Sequence, residues 1–502
     1  MSLEALRREI GAVNDVLCAA SLLVWDSRTM MPPGAVEARG RQIATLMEAA
    51  RERLLAPATE RALDAAADSV DGEPADSAVR REVAAVREAI GFHRRVPADL
   101  IRRKAELRPL ASAAWMEARK TDRFATFAPY LEQTVDLQRA YAQAIGYRDH
   151  PYDALIDLYE PGQTQASLAA FFGALRPQLR TLREAAQARG AGMPAFVDRS
   201  FPAERQREFG KRIAARFGYD FARGRLDFTV HPFEISFTRQ DVRITMRRSE
   251  TFAPPALFGA FHEVGHALYE QNVDPRYTRT ALATDLKQLY AVGGTSFGAH
   301  ESQSRLWENH VGRSRLFWER HFEEARQAFA PSLDDVDLDT FLAAIVAVRP
   351  GLIRTDADEL TYDLHIMLRV ELEAQLIAGD LQVADIPEAW NAAMECDLGL
   401  RPPSDADGCL QDIHWSSGMF GSFCTYSIGN AMGAQLFETA MEREPAIGAA
   451  LQEGAYGPLH DWLKDNVWQH GRRFARDEIL ARATGRPLET GPYLRHLERR
   501  YG

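Results

Sequence analysis

The chain has 502 residues, a net charge of −11, 46% hydrophobic residues and four cysteines. An acidic balance of this size leaves no basic face for a polyanion, so nucleic acid is excluded as an expected partner. Cys18, Cys396, Cys409 and Cys424 lack the spacing of a metal site or a disulfide framework, which points to free thiols in a reducing compartment.

No Pro/Ser-rich linker, low-complexity tract or internal repeat divides the chain, so one catalytic domain over residues 1–502 is expected. Apolar spacing near 3.6 among helix formers predicts helices over Leu3–Leu23, Ala78–Ile90, Phe127–Ile145, Gln165–Arg189 and Leu338–Val348. Within the first, the apolar run Val16–Trp25 lies between Asp15 and Asp26. It is too short to span a bilayer and lacks a cleavage pattern, so it reads as a buried N-terminal helix of a cytoplasmic protein with no membrane partner. The basic clusters Arg102-Arg103-Lys104 and Arg472-Arg473 are diluted by acids and read as solvated faces.

Strand signals concentrate at 225–249. His231-Pro-Phe233-Glu-Ile235-Ser-Phe237 and Asp241-Val-Arg243-Ile-Thr245 alternate polar and apolar residues around Thr238-Arg-Gln240, which predicts a hairpin. The fold class is therefore mainly α, with a small sheet beside the helix that follows.

That helix carries Phe-His262-Glu263-Val-Gly-His266-Ala-Leu-Tyr. Two histidines four apart lean from one face toward a single ion, while Glu263 lies about 100° round the axis, where it reaches a water activated by that ion. Thr251 is a candidate cap, Pro254 and Pro255 suit a first turn, and Phe258, Phe261, Val264 and Leu268 are apolar enough to hold the helix inside. Hydrolytic zinc takes three protein ligands. Glu301, in His300-Glu301-Ser-Gln-Ser-Arg305-Leu-Trp-Glu308, is the leading third candidate. Glu308 is a competing ligand or an acceptor for a ligand imidazole, Asp285 and Glu270 are weaker rivals, and an ion pair with Arg305 is the alternative fate of Glu301.

Further along, Arg354 in Ile353-Arg354-Thr-Asp356-Ala-Asp358 precedes a predicted helix. A guanidinium there suits a free C-terminal carboxylate through two parallel hydrogen bonds, or pairs with Asp356 or Asp358. Arg243 is the second choice for that carboxylate, or a partner of Asp241. The run from Gln411-Asp412-Ile-His414-Trp415 to Tyr426 is rich in glycine, hydroxyls and aromatics and reads as a site-lining loop entering a helix. His414 and Tyr426 are candidate donors to an oxyanion, or satisfied core residues.

Taken in order, His231-Pro-Phe, Asp241-Val-Arg243-Ile-Thr245, His262-Glu263-Val-Gly-His266, His300-Glu301-Ser-Gln, and Ile353 to Asp358 with Gly408 to Trp415 resemble the M32 family of metallocarboxypeptidases. The connection from His266 to Glu301 looks longer than in some members. The resemblance implies a zincin-like helical fold with a long substrate groove, in which a helical part at about 1–220 forms a groove wall and 225–430 holds the motifs. It implies His262, His266 and Glu301 as metal ligands, Glu263 as base, Arg354 as carboxylate binder, His231 and Arg243 at the substrate, and a homodimer. The expected activity is release of single C-terminal residues from peptides by a zinc enzyme, with cobalt or manganese able to occupy the same donors. A zinc endopeptidase, a peptidyl-dipeptidase and a peptide-binding protein that has kept the fold are the alternatives.

Overall fold

Segments with a single apolar stripe become helices here because that stripe is the surface they bury. The computed structural model describes residues 2–189, 192–252 and 254–502, and the side chains of Pro254 and Pro255 fall outside that description. Among the described residues are twenty α-helices and one three-stranded sheet, a mainly α fold. The predicted helices appear as Ser2–Thr29, Ala78–Arg95, Phe124–Ile145, Gln165–Ala188 and Leu338–Ile345.

The first helix is longer than its apolar run suggests: at 28 residues it is, by length and composition, apolar enough to cross a membrane. Leu6, Ile10, Val13 and Leu17 are buried in a cluster with Leu54, Leu63, Val83 and Val86 from three later helices. Burial of each such side chain stabilises by about 1.5 to 3 kcal/mol.

The chain divides into two compact units, each assembled from separate stretches. One comprises Met1–His93, Met193–Ile345 and Met432–Glu489; the other comprises Arg94–Gly192, Val346–Ala431 and Thr490–Gly502.

The sheet belongs to the first unit. Its strands are β1 (Leu226–Thr229), β2 (Glu234–Thr238) and β3 (Asp241–Arg247), in the order β1-β3-β2. The expected hairpin is β2-β3, antiparallel with Ile235 opposite Arg243; β1 adds a parallel pairing with Phe228 opposite Met246. Val242, Ile244 and Met246 are fully buried, as the alternation requires. Thr245 ties the two strand motifs together, since its Oγ1 accepts from the Phe233 amide at 2.8 Å and donates to the Phe233 carbonyl at 3.0 Å.

The helix Pro254–Gln271 packs on β3 and carries the histidine pair. Thr251, expected to cap it, bridges to Ser200 through its backbone, and residue 253, just before the helix, lies outside the described residues. Between this helix and the next ligand the chain makes a 3-10 turn, Pro275–Tyr277, and a bridge from Asp285 to Tyr290. Ser296 then caps Phe297–Arg305 by accepting from the Ala299 amide. A buried π-helix, Leu306–Gly312, continues it.

In the second unit, Asp358 caps the helix Glu359–Ala378 by accepting from the Thr361 amide, and Gly379 ends it in the left-handed conformation. This helix buries Asp363, His365, Arg369 and Glu373. Buried polar groups require partners: Arg369 and Glu373 find theirs partly at Asp412, Trp415 and Gly421, while Asp363 meets Asn430 and Tyr493.

Candidate active site

On the first unit, the helix Pro254–Gln271 and the helix Phe297–Arg305 bring three donors to one point. Nε2 of His262 and Nε2 of His266 lie 3.5 and 3.2 Å from Oε2 of Glu301. Zinc bonds of about 2.0 to 2.1 Å in a tetrahedron place neighbouring ligand atoms about 3.3 Å apart, so the spacing fits one dication. Donor atoms of His262, His266 and Glu301 all fall within 4.8 Å of one another. The two helices come this close because position 265 is glycine: a Cβ there would stand 2.4 Å from the Gln303 carbonyl oxygen. Sequence reading had no signal for this role, since a glycine inside a helix gives no sign of what crosses it.

Each ligand is held from behind. Nδ1 of His262 meets Oε2 of Glu308 at 3.0 Å, so Glu308 is an acceptor for a ligand imidazole. Arg305 donates to Oε1 of Glu301 at 2.7 Å, leaving Oε2 to the histidines. The ion pair and the convergence on the histidines therefore coexist. Arg313 donates to Glu308 at 2.9 Å. Nδ1 of His266 faces Nδ1 of His300 at 2.5 Å.

The protein groups alone set an electrostatic demand. Burial would lower His262, yet Glu301 and Glu308 push it up to about 10. Against its own burial, Glu301 is drawn well below the usual carboxylate range by His262 and Arg305, and Glu308 is drawn to about 2. The carboxylate oxygens thus favour positive charge at His262, whereas burial lowers His266 to about 3 and keeps that imidazole neutral, as a ligand nitrogen must be. Glu263 lies outside the ligand set, is 6% exposed, and is pushed up to about 8 chiefly by burial.

The strand residues flank this helix within the same unit. His231 is exposed on the segment before β2. Arg243 forks onto Asp241 with two bonds of 2.8 Å, and its guanidinium lies over the Trp25 ring at 4.5 Å.

On the second unit, Arg354 is 6% exposed and pairs with neither Asp356 nor Asp358. Asp358 is occupied as a helix cap, and Asp412 reaches the guanidinium from 58 residues away. Nε and Nη2 donate to Oδ1 of Asp412 at 3.0 and 2.8 Å, and Nη1 donates to the Tyr362 hydroxyl at 2.9 Å. Arg369 donates to the other oxygen, Oδ2, at 2.6 Å. Gln411 accepts from the Arg354 amide at 2.9 Å, so two adjacent motif residues fix both backbone and side chain of Arg354. Tyr426 places its ring 5.3 Å from that guanidinium. His414 stacks near Phe423, with ring centroids 4.3 Å apart, and burial lowers it to about 4, so its imidazole is neutral.

Glu373 fastens this loop and was not apparent from sequence. It accepts from Tyr152 at 2.6 Å, from Trp415 Nε1 at 2.9 Å and from the Gly421 amide at 2.8 Å. Gly421 has a φ of 90°, and a Cβ there would meet the Leu155 carbonyl carbon at 2.5 Å. Its signal was the glycine-rich composition of the run, without the partner.

The family model described as carboxypeptidase Taq (M32) metallopeptidase matches residues 5–501. The chain is 38% identical over 499 residues to thermostable carboxypeptidase 1 of Thermus thermophilus, covering 96% of this chain and 94% of the relative. It is 35% identical to carboxypeptidase 1 of Bacillus subtilis, with the same two shares. The crystal structure of an M32 carboxypeptidase from Deinococcus radiodurans matches with a TM-score of 0.94 and 40% identity, covering 100% of this chain and 99% of that one.

Proposed function

The chain belongs to the M32 family of metallopeptidases and is a metal-dependent carboxypeptidase acting on peptides; on that premise we propose that it releases one residue at a time from free C-termini, using zinc on His262, His266 and Glu301. The observation that carries this reading is the convergence of two Nε2 atoms and one carboxylate oxygen within 4.8 Å, with a buried carboxylate, Glu263, next in sequence to the first ligand. A dication held there supplies a Lewis acid for the scissile carbonyl and lowers the pKa of water.

The remaining steps belong to the chain's own residues. Glu263 accepts the proton given up by the attacking water and later returns it to the leaving amine nitrogen. Tyr426 or His414 donates to the oxyanion as it forms. Arg354 binds the C-terminal carboxylate of the substrate. Five N–H groups make up a guanidinium, and three are used on Asp412 and Tyr362. The two left are one on Nη1 and one on Nη2, donors a carboxylate can take. His231 and Arg243 act on the peptide side, a role taken from the family resemblance and supported for His231 by its exposure. A cytoplasmic homodimer completes the proposal: the acidic composition and four cysteines support the compartment, and the resemblance supports the dimer.

Arg354→Lys tests the exopeptidase part, because it keeps the charge and removes the fork. Loss of one charge-assisted hydrogen bond costs about 1.5 to 3 kcal/mol, so kcat/KM on peptides with free C-termini should fall by roughly 10- to 100-fold. Wild-type kcat/KM in this variant would contradict the assignment.

A further inference from the structure

Behind His266 stands a second histidine that the chemistry above leaves unused. Nδ1 of His266 lies 2.5 Å from Nδ1 of His300, and Nε2 of His300 lies 2.7 Å from Oε1 of Glu270. Two imidazole nitrogens that meet need one donor and one acceptor. Glu270, only 1% exposed, accepts as a carboxylate, so Nε2 of His300 carries the hydrogen. A His266 that ligates through Nε2 has that nitrogen's lone pair taken, so its hydrogen is on Nδ1 and Nδ1 of His300 accepts it. Nε2 of His266 is the atom facing Glu301 at 3.2 Å. His262 reaches the same state in one step, through Glu308.

The packing leaves this chain of bonds little freedom. Tyr269 lies across His300 with ring centroids 5.2 Å apart and planes 21° apart. The backbone at Gly294 presses on both rings, since a Cβ there would stand 2.8 Å from Tyr269 and 3.0 Å from His300.

We infer that His300, held by Glu270, is a positioning residue that accepts from Nδ1 of His266 and so turns its Nε2 toward a divalent cation. The inference rests on the metal site proposed above. It divides the two histidine ligands: a carboxylate orients one directly, and a carboxylate acting through a second imidazole orients the other.

Two substitutions separate this role from simple packing. His300→Phe keeps the ring volume against Tyr269 and removes the acceptor. His300→Asn leaves a gap but sets an amide oxygen near the place of Nδ1. Zinc dissociation constants are measured by chelator competition on the full chain, with the unfolding temperature of the chelated protein as a check on the fold. The expected result is zinc affinity weakened about 10- to 100-fold in His300→Phe and within a few-fold of wild type in His300→Asn. The reverse order assigns His300 to packing and overturns the proposal, as does wild-type affinity in both variants. Wild-type protein that takes up no zinc overturns the metal-site reading and the proposal with it, and that result is known before either variant is compared.

Discussion

Replacing Glu263 by Gln should leave bound metal at the wild-type level and reduce kcat by about 10²- to 10⁴-fold, the usual range for removal of a general base. Gln matches Glu in shape but accepts no proton at neutral pH, and position 263 lies outside the three donors that converge within 4.8 Å. The buried helix around it should stay in place, because Phe258, Phe261, Val264 and Leu268 are at most 2% exposed and fill the core on their own account. His262→Ala gives the contrasting result, with metal and turnover lost together. Burial pushes the Glu263 carboxyl up to about 8 when the protein groups act alone, and a nearby dication draws it back toward the ionised form that a base needs. Metal content by mass spectrometry and initial rates on one peptide decide the matter. An active Glu263→Gln protein with metal bound would remove Glu263 from the chemistry.

Gly265→Ala should be a severely damaging single methyl group, because it forces apart the two helices that carry the metal donors. The added carbon would lie 2.4 Å from the Gln303 carbonyl oxygen and 2.5 Å from the Ser304 Cα, both backbone atoms that no rotamer change can move. The helix Phe297–Arg305 cannot retreat either, because on another side a Cβ at Gly433 would stand 2.7 Å from the Ser302 carbonyl oxygen. Overpacking costs about 1 to 3 kcal/mol, and more where backbone cannot shift. The displaced helix carries Glu301, so metal affinity should fall along with the unfolding temperature. Gly40→Ala is the control: it lies in the helix Val36–Leu54 with nothing within 4 Å of the added carbon, and it should be neutral or slightly stabilising. Wild-type unfolding temperature and metal affinity in Gly265→Ala would show that the two helices separate without cost.

The features legible in sequence were those that repeat over short distances. Helical periodicity gave Gln165–Ala188 nearly to its ends and the start, though not the last turns, of Ser2–Thr29, and alternation gave the β2-β3 hairpin. The four-residue step placed both imidazoles on one helix face. The features that stayed hidden depend on residues far apart in the chain. Asp412 reaches Arg354 across 58 residues, Glu308 reaches His262 across 46, and Glu373 reaches Tyr152 across 221. No local period encodes such pairs, because burial fixes only that a charged group must find a partner and not which one. Local alternatives misled for the same reason. Asp358 looked available to Arg354, but a helix start needed its carboxylate first. Arg305 looked like a surface partner that would divert Glu301; the carboxylate has two oxygens, and one serves each role.

The central claim is that this chain cuts peptides from a free C-terminus with a metal at His262, His266 and Glu301. Mass spectrometry of matched peptides, free and C-terminally amidated, incubated with zinc-loaded and chelated protein, tests it most directly. The account predicts ladders that lose one residue at a time from free C-termini only, and only in the metal-loaded protein. Internal cuts, release of dipeptides, equal attack on amidated peptides or ladders that persist under chelation would contradict it.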